Sequence, residues 1–150
     1  MGIKKRILCI AGDRNCLDYK VLKAALVKFN IDLSTVGEIV SGKCKGADEL
    51  GELLAKKHKI KIKEFPALWD DLTAKDALVK ENKFGKKYDA KAGFRRNKQM
   101  AEYADELLCL EPNGDTSGSQ DCCEQFKKLG KPVNIYYGDN EPKARKKYAF

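Results

Sequence analysis

The chain is 150 residues long, 35% charged and 43% hydrophobic, proportions that suit one globular domain with its own core and argue against intrinsic disorder. Its longest apolar runs, 7–11 and 107–110, fall far short of the roughly 20 residues that a membrane-spanning helix needs, and the run behind Lys4, Lys5 and Arg6 breaks at Gly12-Asp13-Arg14, too early for a secretion signal. A cytoplasmic protein without a membrane segment is expected, and its formal charge of +8 draws anions in general without choosing among them.

Residues 7–11 form an unbroken apolar run closed by Gly12, the pattern of a strand buried on both faces. Val21, Leu22, Ala25, Leu26 and Phe29 then recur at helical spacing behind Asp18, an N-cap residue. A second strand is expected over 36–41, a helix carrying Ala47, Leu50, Leu53 and Leu54 faces it, and 60–65 alternates as an edge strand stopped by Pro66. The segment 70–92 is a polar insertion. In it, Thr73-Ala74-Lys75-Asp76 matches a capping box with Asp in place of Glu and Gly85 reads as a stop, predicting a short helix. The insertion is either a lid over a site or a solvated excursion. Helix over 97–103, strand over 106–110, helix over 120–129 and strand over 133–137 complete the order, and a basic tail covers 138–150.

Strands interleaved with helices need crossover connections, which build a mostly parallel sheet covered on both faces. The expected architecture is an α/β Rossmann-like three-layer sandwich of about five strands, one domain over 1–137. Ligands of such sheets sit beyond the carboxyl ends of the strands, where strand order reverses. The loops after the strands therefore carry the chemistry. Cys9 and Cys109 fall inside apolar runs and read as small core residues, and no C-x-x-C pair points to a metal. His58, the only histidine, stands in a lysine run at a helix end and reads as solvated.

After the first strand, Gly12 admits close approach to the backbone and Arg14 offers a planar fork of donors, unless Arg14 merely pairs with Asp13 or Asp18. After the second strand comes Ser41-Gly42-Lys43-Cys44-Lys45-Gly46-Ala47-Asp48, where two glycines around a helix start are expected to aim main-chain N–H groups at an anion. The segment is neither a P-loop nor a G-x-G-x-x-G fingerprint. Asp48 either caps the helix or accepts from sugar hydroxyls. That puts phosphate near Lys43 and Lys45 and ribose near Asp48, with Arg96 beside them. Trp69 follows the third strand, where its ring stacks on a base or plugs the core beneath the insertion. Arg96-Asn97 reads as a helix opening that bonds phosphate or caps through Asn97.

Taken together, G-x-R, S-G-x-x-x-G-A-D, F-P-A-x-W, A-G-x-x-R-N-x-x-M and a G-[ST] loop before G-x-P-V resemble, in this order, the YspA-like branch of the SLOG superfamily. These are Rossmann-like domains named from the Smf/DprA and "lonely guy" proteins. The resemblance implies binding of a nucleotide or nucleotide-derived molecule by Gly12, Arg14, Ser41, Gly42, Gly46, Asp48, Arg96, Asn97, Gly118 and Ser119, and Asp13, Lys43, Ala47 and Trp69 in the same loops complete the expected site. It implies a bacterial or phage conflict-signalling setting and a homodimer or larger assembly; no cofactor or metal is expected from the residues. An alternative in the same superfamily is a phosphoribohydrolase that splits nucleoside monophosphates. Asp48, Asp121 or Glu111 would have to serve it, and the paired glycines and second acid of that branch are absent here. Single-stranded nucleic acid binding ranks third, with Trp69, Phe84, Tyr88 and Phe94 as its platforms.

Overall fold

The apolar run that opens the chain becomes β1 (Arg6–Gly12), the central strand of a five-stranded parallel sheet in a computed structural model that describes residues 5–113 and 117–138. Along the chain follow α1 (Tyr19–Lys28), a 3-10 turn (Leu33–Thr35), β2 (Val36–Ser41), α2 (Ala47–Lys57), β3 (Lys61–Glu64), β4 (Val79–Glu81), β5 (Lys87–Asp89), α3 (Ala92–Tyr103), β6 (Glu106–Leu110), α4 (Ser117–Lys128) and β7 (Val133–Tyr136). The sheet order is β3-β2-β1-β6-β7, with every pairing parallel.

Successive side chains of a strand point to opposite faces, and β1 divides its apolar residues accordingly. Leu8 and Ile10 join Ile39, Leu108, Leu22, Leu50 and Leu54 under α1 and α2. Cys9 joins Val40, Leu107, Cys109, Met100 and Phe126 under α3 and α4. This is the three-layer Rossmann-like sandwich. The edge strand β3 keeps Lys61 and Lys63 exposed, which blunts the edge against further pairing. All six cysteines are free thiols, five of them buried. Among the described residues no helix is long and apolar enough to cross a membrane.

The insertion corrects one expectation. It holds no helix but a two-stranded antiparallel ribbon, β4 with β5. The expected capping box fails because Thr73 donates both its N–H, at 3.0 Å, and its hydroxyl, at 2.6 Å, to Asp71 Oδ1, closing a turn instead. Gly85, at φ +80°, turns the ribbon, and Asn82 Oδ1 accepts from Phe84 N and Lys86 N at 2.9 and 3.0 Å across that turn. Two helix starts also move. α3 begins at Ala92, which places Arg96-Asn97 inside the helix rather than at its opening. α4 begins at Ser117, so Gly118 and Ser119 belong to its first turn rather than to a loop. Residues 139–150, most of the basic tail, lie outside the described residues.

Candidate functional site

From β1 the chain steps to β2 on one side, then returns past β1 to β6 on the other, so the strand order reverses between β1 and β6. A cavity of about 430 Å³ opens there, beyond Gly12, within the range of roughly 300–1,000 Å³ typical of small-molecule sites. Gly12, Asp13, Arg14, Asp48, Trp69, Arg96, Asn97 and Ser119 border it, whereas Ser41, Gly42, Lys43, Lys45, Gly46 and Ala47 do not.

Gly12 is required by the neighbouring strand. At φ +145°, a Cβ there would stand 2.2 Å from Leu110 O, a collision no L side chain tolerates. Asp13 is a bracket. Its carboxylate accepts from Asn15 N at 2.9 Å and Asn113 Nδ2 at 3.0 Å, and its carbonyl accepts from Cys16 N and Ala47 N, each at 3.1 Å. Arg14, by contrast, is exposed and makes no hydrogen bond or ion pair among the described residues.

The β2–α2 loop overturns the expectation of bare main-chain donors. Lys43 N donates to Ser41 Oγ at 3.1 Å, Cys44 N to Asp48 Oδ2 at 3.3 Å and Gly46 N to Glu49 Oε1 at 3.0 Å. Ser41 itself donates to Glu52 at 2.7 Å. Lys43 Nζ lies 3.1 Å from Glu52 and 3.0 Å from Glu64, turned toward the β3 edge and away from the crevice. Acidic side chains on α2 thus occupy the anion-binding amides of their own helix start. Gly42 makes room for protein rather than ligand, since a Cβ there would meet Arg96 Nη1 at 2.6 Å and Asp48 Oδ2 at 2.8 Å.

Arg96 is only 8% exposed. Its Nη1 donates to Gly42 O and its Nε to Asn97 Oδ1, at 2.9 Å, while Nη2 makes no hydrogen bond among the described residues and lies beside Gly93 on the crevice wall. Asn97 lies inside α3 rather than at its cap; its Nδ2 donates to Asp121 Oδ2 at 3.0 Å and ties α3 to α4. Asp48 is 5% exposed. Burial pushes its carboxyl up to about 6, against the pull of Cys44 N, the Arg96 guanidinium and Gly42 N. Of the three acids considered for hydrolysis it alone borders the crevice. Asp121 spends its oxygens on Asn97 and Gln125, and Glu111 is buried beside Cys109 Sγ.

Aromatic rings line the crevice beside Arg96. Trp69, 37% exposed, rests against Gly93, where a Cβ would come within 2.9 Å of its ring, and meets Tyr88 edge-on at 6.4 Å. Phe94, 49% exposed, continues this wall. Gly93, Phe94 and the thiol of Cys44 were not among the residues picked from sequence for a small-molecule pocket. The run Gly93-Phe94-Arg95-Arg96, once placed on a single helix start, was the signal for the first two. Among the described residues no group of three or more His, Cys, Asp or Glu side chains could hold a metal ion. The arrangement offers two guanidinium groups for an anion, flat apolar surface for a ring, and two acids, of which Asp13 is already taken by Asn15 N and Asn113 Nδ2.

No family model matches the chain, and no curated protein matches it. Among solved structures it is similar to DNA processing protein A (DprA) from Streptococcus pneumoniae, with a TM-score of 0.59 at 18% identity over 87% of this chain and 50% of that one. The chain spans about half the length of that structure, and a likeness at this identity establishes a shared Rossmann-like architecture.

Proposed function

We propose that the protein binds a nucleotide or nucleotide-derived small molecule at the carboxyl edge of its sheet, sensing or sequestering it without turnover. The observation that carries this reading is the composition of one crevice, in which Arg14 and Arg96 Nη2 stand without partners among the described residues while Trp69 and Phe94 leave ring surface exposed. Guanidinium forks suit phosphate, and exposed aromatic faces suit a base. Asp48 is placed to accept from, or donate to, a sugar or base edge. The order of motifs supports the YspA-like branch and its conflict-signalling setting. Hydrolysis of an N-glycosidic bond calls for an acid at the leaving base and a carboxylate at the water, and Asp48 is the only carboxyl group of the three candidates in reach. A second reading, single-stranded nucleic acid, draws on the likeness to a DNA processing protein and on Phe84, 82% exposed among the lysines of the insertion.

Mass spectrometry of small molecules released from the purified protein tests the proposal directly. A phosphorylated nucleoside is expected, and a preparation that neither releases one nor binds any nucleoside monophosphate by calorimetry contradicts it. Arg14→Ala should weaken binding about tenfold, or 1.4 kcal/mol, without changing stability, because that exposed side chain makes no hydrogen bond or ion pair among the described residues. Arg96→Ala should cost both affinity and about 1–3 kcal/mol of stability, because it leaves Gly42 O without its donor. Equal effects on stability from the two variants would contradict the assignment.

A further inference from the structure

The insertion is mostly exposed, yet one of its residues, Asp89, is a carboxylate with no exposed surface at all. A buried charge is unfavourable by several kcal/mol unless it is paired and hydrogen-bonded, so its partners define what holds this segment in place. Asp89 Oδ1 accepts from Leu78 N at 3.1 Å, at the base of the ribbon, and from Lys91 N at 2.9 Å, at the start of α3. Asp89 Oδ2 lies 2.8 Å from Arg95 Nη1. Arg95 also donates through Nε, at 3.1 Å, and Nη2, at 2.8 Å, to Asp76. The main chain closes the knot, for Asp89 N donates to Trp69 O at 2.8 Å.

Neither Asp89 nor Arg95 borders the crevice, but both ends of the clasp do: Trp69 through its backbone bond to Asp89, and Gly93 two residues before Arg95 on the same helix start. We infer that Asp89 and Arg95 are positioning residues that fix the Trp69 ring against Gly93, making the insertion the element that selects a ligand with a flat heteroaromatic base over a phosphosugar alone. The selection rests on the reading of the crevice as a nucleotide site; the clasp itself does not. An exposed ring on a free loop would pay rotamer entropy on each binding event, whereas a ring held beforehand presents its face at lower entropic cost. The guanidinium groups are held apart from the clasp: Arg14 stands on the loop after β1, and Arg96, although it follows Arg95 on α3, is anchored by its own bonds to Gly42 O and Asn97 Oδ1.

Trp69 is the only tryptophan, so its emission reports on this wall alone. Asp89→Asn keeps an oxygen for Leu78 N and Lys91 N while removing the charge that faces Arg95, and Arg95→Gln removes the other half from a partly exposed position. Both variants, checked for an unchanged far-ultraviolet spectrum, should raise the acrylamide quenching constant of Trp69 by roughly twofold. Both should weaken adenosine 5′-monophosphate about tenfold while leaving ribose 5-phosphate within about twofold, and Arg95→Lys should restore part of the loss. Unchanged quenching and unchanged monophosphate affinity overturn the inference, as does an equal loss for both compounds, which a general loosening would produce. If Asp89→Asn does not fold, the two Arg95 variants decide it. Wild-type protein that binds neither compound overturns the nucleotide reading, and quenching then decides the clasp by itself.

Discussion

Asp48 shows how a single burial changes a residue's chemistry. Its carboxyl holds a proton up to about pH 6 in the folded chain, whereas an ordinary aspartate lets go near 3.8. The folded state therefore binds more protons between those values, and the stability that this group contributes is complete below pH 4 and lost as pH rises through 6. The change amounts to on the order of 3 kcal/mol. Asp48→Asn should flatten the stability profile measured by urea denaturation between about pH 4 and 7 and exceed the wild type above that range; a profile as steep as the wild type's would assign the proton to another group. The same residue marks where sequence reading stopped. The glycines at 42 and 46 were legible as a helix start near the switch point, but which acceptor takes each amide depends on rotamers. Asp48 and Glu49, in the first turn of α2, accept from Cys44 N and Gly46 N in place of a ligand.

Among the elements, the buried strands were the most legible, because β1 and β6 are apolar on both faces and only a covered parallel sheet accommodates that pattern. The insertion was least legible. A Thr three residues before an Asp serves a helix start or a turn equally well, and the deciding acceptor, Asp71, precedes the motif. Gly85 likewise marks a stop in either structure. What the ribbon does is hold Trp69, and Gly93 measures how closely. Gly93→Ala puts a methyl group 2.9 Å from the indole, so either the ring or the helix start must shift. Because the ring is at a surface, it should be the one to move. The expected result is a red-shifted Trp69 emission with a loss of under about 1 kcal/mol in stability. Unchanged emission with a larger loss would mean that α3 yields instead. Asp89 has an acid signature as well: burial raises its carboxyl, but the bonds from Lys91 N, Arg95 and Leu78 N outweigh burial and hold it below the ordinary value. Its contribution is present above pH 3.8 and lost as pH falls through the lowered value.

For the whole molecule, the question is whether its charge forms one site or a general field. Exposed lysines lie on α1 at Lys20, Lys23 and Lys28, at the end of α2 at Lys56 and Lys57, on β3 at Lys61 and Lys63, and in the insertion at Lys80, Lys83, Lys86 and Lys87. The first two groups cover one face of the sheet, and the insertion leads into α3 on the other. A net +8 raises the local concentration of any anion, yet among the described residues the exposed lysines are dispersed over several elements rather than gathered on one. The two readings then separate by salt. A mononucleotide held by Arg14 and Arg96 neutralises one or two charges, so log affinity should fall with log salt at a slope no steeper than about −1 to −1.5. A single strand lying along the lysines of the insertion would neutralise four or more, with a slope near −3 or steeper. We expect adenosine 5′-monophosphate to show the shallow slope and to outcompete an oligothymidylate probe at equal phosphate concentration in about 0.15 M salt, where the Debye length of about 8 Å leaves dispersed surface charges nearly independent. A steep slope for the oligonucleotide, persisting after Arg14→Ala but lost when the insertion lysines are replaced by glutamine, would move the functional surface from the crevice to the ribbon.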